Sequence, residues 1–227
     1  MDSGFILALS AQKGSISVVI MLLTDERVDR NYLTAYGPHK ITALTAAATN
    51  GHTEVLEVLL ADGRVDPNKG DGNGESALIC AASVGELESA ALLLTDERVN
   101  PNMVDDEGNS ALNVAAMYNH ASMVTLLLAD QRVNPNMIDY YGDTLLRTAV
   151  EYKDAPMVTS LLRDPRIVVD DISAAGIFAG CRYLFDWMTQ EVAWRALLLR
   201  CGLHCQCRLP MDSIHVVRSF LLEEGLV

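Results

Sequence analysis

The chain repeats itself at an interval of 34 residues. Thr42-Ala-Leu, Ser76-Ala-Leu, Ser110-Ala-Leu and Thr144-Leu-Leu open equivalent segments at that spacing. The match continues through Ala47/Ala48, Ala81/Ala82, Ala115/Ala116 and Ala149/Val150, and through Arg64-Val65, Arg98-Val99, Arg132-Val133 and Arg166-Ile167. Asp66-Pro-Asn, Asn100-Pro-Asn and Asn134-Pro-Asn close three of the units. An earlier copy, 5–31, aligns with 42–68 at an offset of 37, the extra residues falling in the loop 32–41. A unit of this length cannot bury a core alone, so the repeat requires a stack in which each copy covers its neighbour.

Each unit has its own physical logic. A Ser or Thr whose hydroxyl can accept from exposed N–H groups opens a short helix, as Thr42 does for 43–49, and paired alanines let that helix approach its neighbours closely. Gly51 stops it, because glycine takes left-handed backbone angles without strain. A second helix follows, with apolar Val55, Leu56, Val58, Leu59 and Leu60. The stretch 66–74 is rich in Pro, Gly, Asn and Asp and predicts a projecting turn or hairpin that leads to the next capping residue. The unit therefore reads as helix, turn, helix, finger.

The segment Thr42-Ala-Leu-Thr-Ala-Ala-Ala-Thr-Asn-Gly-His-Thr-Glu-Val-Leu-Glu-Val-Leu-Leu resembles the ankyrin-repeat consensus, departing at Ala43 and Thr45, where the family has Pro and His. Alanine is the best helix former, so the loss at position 43 breaks nothing essential. The units are one residue longer than the usual ankyrin repeat, in the Asp-x-Arg-Val stretch after helix two, and Gly51 becomes Asn119 and Lys153 in later copies. The resemblance implies a mainly α solenoid of five ankyrin repeats over 1–170, at about 4–36, 37–70, 71–104, 105–138 and 139–170, with a helical cap or small appended module over 171–227. It further implies that His52 and His120 serve structural hydrogen bonds at the start of helix two.

Composition narrows the function. A formal charge of -13 argues against nucleic acid as the primary partner, since phosphates repel such a surface. No window approaches the roughly 20 apolar residues a membrane helix needs, and the N-terminus lacks the basic region of a signal peptide. Five cysteines, four of them crowded into Cys181, Cys201, Cys205 and Cys207, do not form a spaced disulfide framework, and a reducing, cytoplasmic location is the simpler expectation. Cys201, His204, Cys205 and Cys207 are zinc-ligand residue types, but structural zinc sites draw paired ligands from two chain segments, so no metal is expected. No nucleophile with a base and an orienting third group is in view, and Gly70-Asp-Gly-Asn-Gly lacks the Lys-Ser/Thr of a phosphate loop. No catalytic or cofactor site is expected, and the chain is not read as an enzyme.

From Asp171 the Pro-Asn finger disappears and aromatics accumulate at Phe178, Tyr183, Phe185, Trp187 and Trp194. Two readings stay open. The segment is a degenerate helix pair that covers the end of the stack, or Arg195-Ala-Leu-Leu-Leu-Arg-Cys with Leu209-Pro-Met is loosely similar to a SOCS box, the module by which some ankyrin-repeat adaptors dock elongin B/C in a cullin-type ubiquitin ligase. Trp194 stands where that module has Cys, and its second Leu-Pro pair is missing.

The resemblance implies that a protein partner is held by the finger tips and the end of helix one, which line a concave groove. Carried onto this chain, that surface comprises Glu75, Asp106, Glu107, Met117, Tyr118, Tyr140, Tyr141, Asp143 and Tyr152. Exposed Tyr and Met have no folding reason to be there and suit an anchoring role. Asp71, Glu75, Asp105, Asp106 and Glu107 make the middle of the groove acidic, so the expected partner offers basic and apolar features together. The competing expectation is that Met137 and some of the tyrosines pack between fingers.

Overall fold

Hydroxyl caps set the rhythm of the backbone. In a computed structural model, which describes residues 2–34, 40–139, 141–152 and 154–168, Thr42 accepts from the N–H of Thr45 at 3.1 Å, Ser76 from that of Ile79 at 3.4 Å and Ser110 from that of Asn113 at 3.3 Å. Each bond satisfies an N–H left over at a helix start. The helices so opened are α3 (Ala43–Thr49), α5 (Ala77–Val84) and α7 (Ala111–Met117), and α1 (Ser3–Gln12) is their first-copy equivalent. After each comes a partner of nine residues: α2 (Ile16–Thr24), α4 (Thr53–Ala61), α6 (Leu87–Thr95) and α8 (Ala121–Ala129).

The turn inside each pair needs a left-handed residue, supplied by Gly51 at φ 67° and by Asn119 at φ 59°. Asparagine tolerates this region better than other side chains do. The fit is tight at Gly51, where a Cβ would meet the Glu86 carboxylate at 2.6 Å. The Gly-to-Asn departure at 119 thus preserves the turn.

The chain divides into two units, Met1–Leu145 and Leu146–Val227. In the first, α1, α3, α5 and α7 form one row and α2, α4, α6 and α8 a second. Small side chains make the first row possible, with Ala8, Ala11, Ala47, Ala48, Ala81, Ala82 and Ala115 buried where neighbouring helices approach. Leu44, Leu78 and Leu112 recur at one register, and Leu56, Leu59, Leu93, Met123 and Leu127 fill the space between the rows. His52 and His120 take the structural place implied for them: Nε2 lies 3.1 Å from the Gln12 carbonyl and 3.2 Å from the Ser83 carbonyl, each one copy earlier.

The extra residue of each unit lies in a polar seam. Asp62, Asp96 and Asp130 pair with Arg64, Arg98 and Arg132 at 2.6–2.7 Å, and the Asp25–Arg27 pair repeats the motif at 2.8 Å. Through these bonds the arginines hold the Asp62 and Asp96 carboxyls below the usual carboxylate range, and Arg27 brings Asp25 to about 2. The same guanidinium groups reach back one copy, Arg64 to the Leu23 carbonyl at 3.0 Å, Arg98 to Leu60 at 2.6 Å and Arg132 to Leu94 at 2.5 Å. They satisfy carbonyls that a helix C-terminus leaves open.

An asparagine ladder runs beside the arginines. Asn31, Asn68 and Asn102 each donate Nδ2 to the carbonyl of the next copy's arginine, at 3.0, 2.8 and 2.7 Å. In return Oδ1 accepts from the N–H of Asp66, Asn100 and Asn134 at 2.7–2.8 Å. Each side chain thereby closes a pair of hydrogen bonds across one interface. Pro67, Pro101 and Pro135 precede or follow these rungs as buried residues. Arg30 stands at the corresponding place in the first copy, 5% exposed, donating to the Val28 and Leu23 carbonyls and to Asp62.

Helix α9 (Leu145–Glu151) follows Thr144, and in the second unit Asp154 caps α10 (Ala155–Leu162) by accepting from the Met157 N–H at 3.0 Å. Its Asp164–Arg166 pair repeats the motif at 2.6 Å. Lys153, Tyr140 and everything from residue 169 on lie outside the described residues, and with them the expected cap, the SOCS-box similarity and the Cys201–Cys207 cluster.

Candidate protein-binding surface

One aspartate organises each finger. Asp71 Oδ1 accepts from the N–H groups of Asn73 and Glu75 at 2.8 and 3.0 Å, Asp105 from Glu107 and Asn109 at 2.9 and 2.7 Å, and Asp139 from Tyr141 and Asp143 at 2.9 and 3.0 Å. Backbone bonds from Asp71 to Glu75, Asp105 to Asn109 and Asp139 to Asp143 then close the hairpin at 2.9–3.1 Å. Such aspartate-centred turns explain why Asp recurs at this position. Neighbouring fingers also touch: the Gly72 N–H donates to the Lys40 carbonyl at 2.7 Å and that of Asp106 to the Asn73 carbonyl at 2.9 Å.

The sequence-derived surface residues occupy these fingers and the ends of the first-row helices. Asp106 and Glu107 are exposed at a tip, and Glu75 and Asp143 are half-buried at finger bases. Met117 and Tyr118 end α7 at 65% and 61% exposed, and Tyr141 projects from the last described finger at 84%. Tyr118 stacks on the His120 ring, centroids 6.3 Å apart and planes within 24°. Tyr152, 82% exposed at the end of α9, belongs to the second unit. Met137 is half-buried, as the packing alternative expects for it.

Within the groove expected from the sequence, the structure adds a hollow at the first three copies that the sequence did not place. A concavity of about 510 Å3 lies among α1, α3, α5 and the 71–75 finger. Phe5, Leu9 and Ile41 line one part of it, and Asp71 and Glu75 another. It exists because the positions that face it are small in these copies: Ala46, Thr49 and Ser83 line it, whereas Met117 takes the place of Ser83 one copy later. The signal was in the sequence as this run of small residues, but only the register between copies turns it into a hollow.

Cys80 sits at the groove floor with its Sγ 3.8 Å from Glu75 Oε2. Burial first, then the charges of Glu75 and Asp71, push its thiol well above the usual range, so it stays protonated. The site therefore offers carboxylates and a neutral thiol, with no activated nucleophile. Charge is unevenly spread: the arginines at 27, 30, 64, 98 and 132 are spent on the seam, while the fingers carry the acids. Among the described residues no helix is long and apolar enough to cross a membrane.

A model of the family described as ankyrin repeats matches residues 7–103 and 91–171. No curated protein matches the chain.

Proposed function

The chain belongs to the ankyrin-repeat family, whose members are in general protein-interaction modules, and from that premise we propose that it binds a protein partner through its fingers and the ends of its first-row helices. The observation that carries this reading is the exposure of Met117 and Tyr118 on the same repeat that exposes Asp106 and Glu107 at a finger tip, and of Tyr141 on the finger that follows. Large side chains left mostly in water contribute little to folding and bind well if covered. The partner presents an apolar or aromatic anchor with basic groups beside it. Glu75 and Asp143 extend the acidic surface at the finger bases, and the sequence adds Tyr140 as the neighbour of Tyr141. Cysteine usage favours a reducing, cytoplasmic setting for this encounter.

Affinity purification from the native cell, with the wild-type chain and a Tyr118→Ala/Tyr140→Ala/Tyr141→Ala variant as baits, tests the placement. The variant is expected to lose the captured partner, with affinity down more than about 100-fold, and to keep its thermal midpoint. Equal capture by both baits would sink it.

A further inference from the structure

The groove of the first three copies combines features that the finger tips do not. Its apolar wall of Phe5, Leu9 and Ile41 shares one concavity with two carboxylates. Oxygens of Asp71 and Glu75 and the Cys80 sulfur all lie within 4.8 Å of one another. Two carboxylates this close offer a single cation acceptors on both sides. Asp71 spends Oδ1 on its turn, which leaves Oδ2 outside those bonds. The neutral thiol below adds no charge of its own. A planar guanidinium suits two adjacent carboxylates better than a point charge does, since its fork donates in several directions at once. The volume is in the range of sites that enclose a small ligand or a few side chains.

We propose that this groove seats an arginine side chain from an extended segment of the protein partner, with an apolar neighbour of that arginine packed on the Phe5, Leu9 and Ile41 wall. The assignment rests on the reading that this face of the repeats binds polypeptide, and it names the chemistry of one contact. The arginine stem covers apolar surface while its head meets Asp71 and Glu75. Water leaves the groove as the stem enters, which strengthens the ionic bonds made there.

The test uses the full chain and pools of short synthetic peptides, immobilised, in which one position is fixed as arginine, lysine, citrulline or glutamate and its neighbour as leucine or serine. The arginine–leucine pool is expected to retain the protein about tenfold better than the citrulline–leucine pool, with lysine between them. Asp71→Asn/Glu75→Gln should erase the preference for arginine over citrulline, and Leu9→Ser the preference for leucine over serine, each with an unchanged melting midpoint. Asparagine keeps the Oδ1 acceptor of the turn, so the first variant is expected to fold. The Tyr118→Ala/Tyr140→Ala/Tyr141→Ala variant should retain the arginine preference in full.

Equal retention of all pools overturns the proposal, as does a preference that survives Asp71→Asn/Glu75→Gln. Calorimetric binding of Zn2+ or Ca2+ that is lost in that variant, without any peptide preference, makes the groove a metal site and also overturns it. If tyrosine-dependent capture of the native partner persists while the pools are not distinguished, this inference alone falls. If both are absent, the protein-binding reading falls with it.

Discussion

Ser89 occupies the register held by Val55 one copy earlier and Met123 one copy later. Its side chain is 0% exposed and its hydroxyl has no hydrogen-bond partner. A buried hydroxyl without a partner costs free energy that an alanine at the same place does not. Ser89→Ala is therefore expected to stabilise the fold by about 1 kcal/mol, read as a higher urea midpoint at an unchanged slope. A lower midpoint would mean that the hydroxyl is satisfied after all. Thr45 teaches the opposite lesson, because it departs from the family pattern and yet is used fully. Its hydroxyl accepts from the Thr42 N–H at 3.0 Å while its own N–H donates to Thr42 Oγ1 at 3.1 Å. The two residues cap one helix reciprocally. Read alone, position 45 looked like a lost histidine.

At the scale of helices and fingers, most of the architecture was legible, because it is written in local rules. Thr42, Ser76 and Ser110 announce helix starts, Gly51 a left-handed stop, and 66–74 a finger, and each depends on residues only a few places away. The seam was not legible in the same way, although Asp-x-Arg-Val and Pro-Asn were visible as repeated strings. Their meaning lies between copies, where Asn68 bonds the Arg98 carbonyl and the Asn100 N–H at 2.8 and 2.7 Å. These bonds make a separable prediction. Asn68→Ala removes both and is expected to cost about 2 kcal/mol, whereas Asn68→Asp keeps the acceptor but turns its second oxygen on the Arg98 carbonyl and is expected to cost more. Urea denaturation of the two variants measures the difference. Because a stacked array is stabilised by its nearest-neighbour interfaces, equal losses in the two variants would refute the ladder as the source.

Over the molecule as a whole, the decisive feature is where charge is used up. The arginines of the seam face their own aspartates and the carbonyls of the preceding copy, so they offset nothing outside it, and part of the net charge of -13 is expressed on fingers whose tips are Asp106 and Glu107 and on the Asp71/Glu75 groove. Total charge was plain from the sequence, and its sign alone suggested a basic partner. Its distribution was legible only in part: the finger acids from Asp71 to Glu107 could be placed in the groove, but nothing in the string showed that Asp62 is closed in an ion pair while Asp71 opens on a hollow. The same limit hid the hollow, whose lining residues Leu9, Ala46 and Ser83 come from three different copies. A field arranged in this way acts before contact, drawing a cationic segment toward the fingers. With the arginine–leucine peptide as probe, raising NaCl from about 0.1 M to about 1 M shortens the screening length from about 10 Å to about 3 Å. The association rate is then expected to fall about tenfold or more, with the dissociation rate changing much less, because contacts inside the groove are sheltered from salt. Stopped-flow binding resolves the two rates. An association rate indifferent to salt would show that the acids of the fingers and groove do not steer the encounter, and that the partner is recognised by its apolar anchor alone.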